Sequence, residues 1–157
     1  MARRETKLLI GMVLAVGCRS GATMASNPPG PAMPTGNVTG AATAPAAIDA
    51  FMAAIKAQDL QALGAIWGTP DGPARNRLSS DVLQERELTM LCYLHHDSYA
   101  IQGNAPTLNG DRTYSVLVKY KGLSHTGQFD VGRASDGRYY VYSVVNFTDF
   151  QDFCGAK

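Results

Sequence analysis

Apolar residues Ile48, Phe51, Met52 and Ile55 fall at i, i+3, i+4 and i+7, the spacing of one helical face. Pro45 suits the first turn of that helix, because its missing N–H has no intrahelical partner there. Asp59 predicts an N-cap for a short second helix with Leu60, Leu63 and Trp67 on one side. Gly68 to Pro73 reads as a loop from its Gly and Pro content. A third helix is predicted from Asp81, with Gln84 as capping-box partner and Leu88, Leu91, Cys92 and His95 as its inward stripe. After His96 the period drops to two. Tyr99 and Ile101 alternate with polar neighbours, as do Tyr114, Val116, Val118 and Tyr120, and then His125, Gly127, Phe129 and Val131. Asp136-Gly137 is a hairpin signal, and the strand beyond it is apolar on both faces, the pattern of a central strand. Three helices followed by a four-strand meander predict an α+β domain over 45–157, its helices packed on one face of an antiparallel sheet.

The amino-terminal end follows another logic. Arg3, Arg4 and Lys7 precede an apolar stretch from Leu8 to Gly17, the pattern of a secretory signal and too short to cross a bilayer. Residues 19–44 hold four Gly, four Pro, six Ala, four Thr and two Ser with a single charge, so they read as a flexible tether. As a coil that tether would reach about 28 Å. The chain of 157 residues is 17% charged, with a formal net charge of +1. Losing residues 1–17 removes three cations and one anion and leaves −1, which argues against a nucleic-acid-binding module.

Leu14-Ala15-Val16-Gly17-Cys18 resembles the lipobox of bacterial lipoproteins, with Ala15 where Leu is usual. The resemblance implies cleavage before Cys18, a diacylglyceryl group on its thiol, and attachment to a membrane of the cell envelope. Two acyl chains suffice for stable anchoring. Arg19 follows the cysteine where Asp would favour inner-membrane retention, so the outer membrane is the expected address. The run from Ala47 to Leu63, an amphipathic helix broken at Gln58-Asp59 before a second helix, resembles the opening of the nuclear-transport-factor-2-like superfamily. That resemblance implies a third helix and a curved antiparallel sheet wrapped into a cone with a pocket at its open end. It implies no reaction, because the superfamily holds isomerases, dehydratases, hydrolases and non-catalytic binding domains.

His95-His96-Asp97 is the most prominent polar cluster. On a regular helix His95 would lie on the apolar stripe and His96 would face out, and adjacent residues could not share a metal. Asp97 then ends the helix. If the helix stops earlier, His95 and Asp97 could act as an acid–base pair, with His125 as a third polar group. With Cys18 lipidated, Cys92 and Cys154 remain as an even pair, open to a disulfide worth roughly 4 kcal/mol or to two buried thiols. Trp67, Tyr114 and Tyr120 could wall a pocket, although tyrosine also suits a half-buried sheet. Arg75 and Arg77 could meet an anion, or simply sit in a solvated loop. The sequence carries no metal-site or nucleotide-binding motif, and no cofactor is implied. The expected function is a membrane-anchored, non-catalytic module for a small apolar ligand or an envelope protein. Two alternatives stay open, a cone-pocket isomerase or hydrolase using His95 and Asp97, and an assembly protein dimerising through its sheet face.

Overall fold

A computed structural model of the chain describes residues 39–146. The signal, the lipobox with Cys18, most of the tether, and Cys154 lie outside the described residues. Helix α1 spans Ala44–Ala57 and opens on Thr43, whose hydroxyl accepts from the Ala46 N–H at 3.3 Å. Its predicted face is the buried one: Ile48, Phe51, Met52 and Ile55 are fully enclosed. Gln58 ends the helix in the left-handed region (φ 55°), a position that glycine fills more easily. Helix α2, Leu60–Ile66, starts where expected, with the Asp59 carboxylate accepting from the Ala62 N–H at 3.0 Å. The last residues of the expected tether belong to the domain, because Ala41 bridges Tyr139 through two backbone hydrogen bonds.

The segment expected to be a plain loop is a miniature hairpin, strands β1 (Gly68–Thr69) and β2 (Gly72–Pro73), followed by a 3₁₀ turn at Ala74–Asn76. Helix α3 runs Ser80–Tyr93 with Ser79 as its N-cap, two residues before the predicted cap Asp81, and no side-chain cap bond forms. The Asp81–Gln84 capping box is absent because Asp81 already lies inside the first turn, where its carboxylate accepts from the Ser80 hydroxyl at 3.2 Å. The predicted inward stripe is also out of phase. Leu88 is half exposed, and the buried residue of α3 is Glu87.

Strands β3 (Ser98–Pro106), β4 (Arg112–Tyr120), β5 (Leu123–Arg133) and β6 (Tyr139–Val145) form one antiparallel meander in that order. The architecture is therefore α+β, with three helices and a four-strand antiparallel sheet. The β4–β5 connection is a two-residue turn, Lys121-Gly122, with both φ angles positive, which matches the twist of the flanking strands. Pairing sets Tyr114 opposite Phe129 and Val116 opposite Gly127, so these side chains share the face that meets α1. Phe51 on α1 meets Phe129 edge-on, ring centroids 6.1 Å apart.

The last strand is not central. β6 is an edge, and its two-sided apolar pattern has a different cause. A bulge at Tyr142 shifts the register, so Val141 pairs with Val131 but Val144 with Phe129. The inward parity thus switches along the strand. The outer edge is also covered, since Val141 bridges Trp67 and Tyr139 bridges Ala41. Tyr140, fully buried, lies beneath Gly40 and Gly68. The other edge, β3, carries a register irregularity at Gln102 and ends at Pro106, features that discourage pairing with another chain. At Gly68 a Cβ would stand 2.9 Å from the Tyr140 ring and 2.6 Å from the Gly72 carbonyl oxygen. Gly68→Ala is therefore expected to cost about 1–3 kcal/mol in chemical denaturation. Gly103→Ala, where a Cβ would meet nothing within 4 Å, is expected to unfold close to wild type. Equal loss in the two variants would contradict the packing described.

Candidate functional site

Between α3 and the end of β6 lies a groove of about 480 Å³. Trp67, which closes α2, forms one wall, with Val82 and Met90 from α3 and Val144 from β6 as the other apolar surfaces. Glu85, Arg86, Thr89 and Ser143 supply the polar part of the lining. The groove exists because α3 presents a weak apolar face and stands off the half of β6 that no strand covers. Val82 is 39% exposed, so part of the lining faces water. Tyr142 also borders it, but its ring lies against Gly132 and Asp111 and its hydroxyl is buried without a partner. Burial, with Asp111 close by, pushes that phenol up to about 12, so it stays protonated.

The predicted polar cluster is arranged differently from a regular helix. Because α3 stops at Tyr93, His95 and His96 follow the helix and their directions reverse: His96 is buried, and His95 is half-buried edge-on to the Tyr120 ring at 5.2 Å. His96 Nδ1 lies 2.9 Å from the Leu94 carbonyl oxygen, which can only accept, so that nitrogen carries the proton. Burial holds His96 below the ordinary imidazole value and favours the neutral ring. Asp97 accepts from the Lys121 N–H at 2.7 Å and thereby clasps the β4–β5 turn. Its backbone is held too, the N–H by Lys119 and the carbonyl by the Lys56 ammonium. His125 Nε2 contacts the Asn146 carbonyl oxygen. Among the described residues no group of three His, Cys, Asp or Glu side chains could hold a metal ion.

The aromatic candidates are dispersed. Trp67 is in the groove, Tyr120 stands by His95 with the Lys121 ammonium 4.9 Å from its ring centre, and Tyr114 lies below the start of α1. Cys92, half-buried on α3, is disulfide-bonded. Arg77 pairs with Asp71, both well exposed, an ion pair of the kind that contributes little. Arg75 packs near Gly64 of α2. Among the described residues no helix is long and apolar enough to cross a membrane. Comparison of the chain with protein-family models, curated proteins and solved structures finds no match.

Glu87 is the group that pattern reading missed. It is 3% exposed, one carboxylate oxygen has no hydrogen-bond partner, and it occupies the space a side chain on Gly64 would need. Desolvation raises its pKa from 4.5 to about 7. The only hint in the sequence is the glycine inside α2. The folded chain holds this proton more tightly than the unfolded one. Stability from the protonated carboxyl is therefore complete below pH 4.5, declines as pH rises toward about 7, and is level above that. The loss is on the order of 3 kcal/mol. Glu87→Gln should lack that decline, so wild type and variant should differ more at pH 8 than at pH 5 in urea denaturation. A pH-independent difference would show that the carboxyl reaches solvent.

Proposed function

We propose that this chain is a membrane-anchored envelope lipoprotein whose domain, an NTF2-like cone, is a non-catalytic binding module. Its ligand is a small apolar molecule or an apolar segment of an envelope protein, held in the groove between α3 and β6. The observation that carries this reading is the groove itself: Trp67, Val82, Met90 and Val144 supply apolar lining beside the polar Glu85, Arg86, Thr89 and Ser143. The order of three helices and then a four-strand antiparallel meander supports the cone, and the sequence around Cys18 supports the anchor. In this reading the acyl chains fix the protein to the membrane, outer in a two-membrane envelope, and the residues before the domain hold it clear of the lipid surface.

The enzyme alternative draws less support. Asp97 is engaged by the Lys121 turn and His125 by the Asn146 carbonyl, so an acid–base role would have to free both groups from structural duties. Dimerisation through the sheet would use an outer face that carries the Thr113–Asp130 and Ser115–Gln128 hydrogen bonds, a polar surface.

Two measurements test the proposal. Cells expressing the full chain and fed an alkyne-tagged palmitate should label it, and Cys18→Ser should abolish the label and release the protein from membranes. Trp67 is the one tryptophan of the chain, so its emission reports on the groove. A long-chain fatty acid or lysolipid should shift that emission to the blue. Met90→Glu should weaken the titration by about tenfold or more, the cost of placing a carboxylate on the apolar wall. An unshifted emission, together with a native mass spectrum free of added ligand, would turn the assignment away from apolar small molecules.

A further inference from the structure

A second cavity, also about 480 Å³, lies under the amino-terminal end of α1. Three strands build its floor. Arg112 pairs with Val131, Tyr114 with Phe129 and Arg133 with Tyr139, so the two arginines and two tyrosines project from the helix-bearing face of the sheet. Pro45 of α1 closes the space from above. The result is a chamber with aromatic and aliphatic walls and two arginines in its lining.

Neither arginine of this chamber forms an ion pair with a described residue. Arg112 donates through Nε to the Asn104 side-chain oxygen at 2.6 Å, and Arg133 through Nε to the Gly137 carbonyl oxygen at 3.0 Å. Both acceptors are neutral, so each guanidinium is positioned without being neutralised. The first turn of α1 carries no acidic residue. The one carboxylate bordering the cavity, Asp111, lies against Gly132 and the Tyr142 ring on the opposite face of the sheet. Tyr114, 5% exposed, borders the same cavity. A phenol hydroxyl on a cavity wall that also carries two arginines is placed to donate to a ligand.

We propose that this cavity binds a small organic anion. Its carboxylate or phosphate group is held between Arg112 and Arg133 and accepts from the Tyr114 hydroxyl, while its apolar body lies on the Tyr114 and Tyr139 rings. The planar guanidinium, with donors in a fixed fork, suits either oxyanion. The site is separate from the groove between α3 and β6 and does not depend on the function assigned to that groove.

Calorimetric titration of the full chain with phenyl phosphate, benzoate and inorganic phosphate tests the assignment. Phenyl phosphate or benzoate should bind, the stronger of the two naming the oxyanion, and inorganic phosphate should bind at least about tenfold more weakly because it lacks a body to bury. Arg112→Ala and Arg133→Ala should each weaken binding roughly tenfold or more. Tyr114→Phe, which keeps the ring and its packing, should weaken it about threefold to tenfold. Lysine at either arginine position should restore part of the affinity, and Met90→Glu, in the other groove, should leave it unchanged. Three outcomes overturn the proposal: no binding of any probe at 10 mM, about thirtyfold above a typical weak site of roughly 0.3 mM; unaltered binding in the double arginine variant; or loss of binding in Met90→Glu.

Discussion

The burial of one face of α1 against strands β5 and β6 is the contact on which the rest of the molecule rests. Ile48, Phe51, Met52 and Ile55 are enclosed there, and the edge-on meeting of Phe51 with Phe129 fixes where the helix crosses the sheet. Most stability of a short helix comes from such a packed face and not from local propensity. With α1 in place, α2 can lay Leu63 into the same core, and the chain leaving α2 can run beside β6. The ordered segment before α1 depends on it as well, because Ala41 reaches Tyr139 only if the helix starts above the edge of the sheet.

Helix α3 stands apart from that core, and this difference shapes both the groove and its chemistry. Its buried residue is a carboxyl, its leucines are partly in water, and it touches the core mainly through Met90 and Leu91. A helix held so lightly leaves a channel beside the uncovered half of β6. Cys92 of this loosely packed element is disulfide-bonded. Covalent closure limits the unfolded state whatever the native packing, and so contributes where apolar burial is meagre. The cavity under α1 has the opposite origin. Its floor is the sheet, and each of its two arginines donates to a neutral oxygen.

The polar candidates show how one residue type serves several ends. Asp97 looks like half of an acid–base pair in the sequence, but its carboxylate accepts the N–H of a turn that needs two positive φ angles. His96, expected in solvent, is sealed in, because the helix ends three residues before it and the chain swings toward β3. Tyr140 and Tyr142 read as ordinary strand residues. One shields an edge beneath two glycines, and the other covers Gly132.

The sequence by itself determined what local patterns and chemistry can encode: the helical face of α1, the cap at Asp59, the turn at Asp136-Gly137, the change from period 3.6 to period 2 after His96, and hence the α+β order of elements. These signals are local, carried by residues within one or two turns of each other. Tertiary structure alone decided the place of β6, the phase of α3 and the members of each cavity. A bulge at Tyr142 and two bridges from distant segments make an edge strand look central, because periodicity registers which residues are apolar and not what covers them. Glu87 could be placed in the interior only once α2 and α3 had met, since nothing within α3 distinguishes it from its solvated neighbours. Arg112, Arg133 and Tyr114 share a chamber because strand register brings them together, and register is a relation between segments that no single stretch of sequence contains.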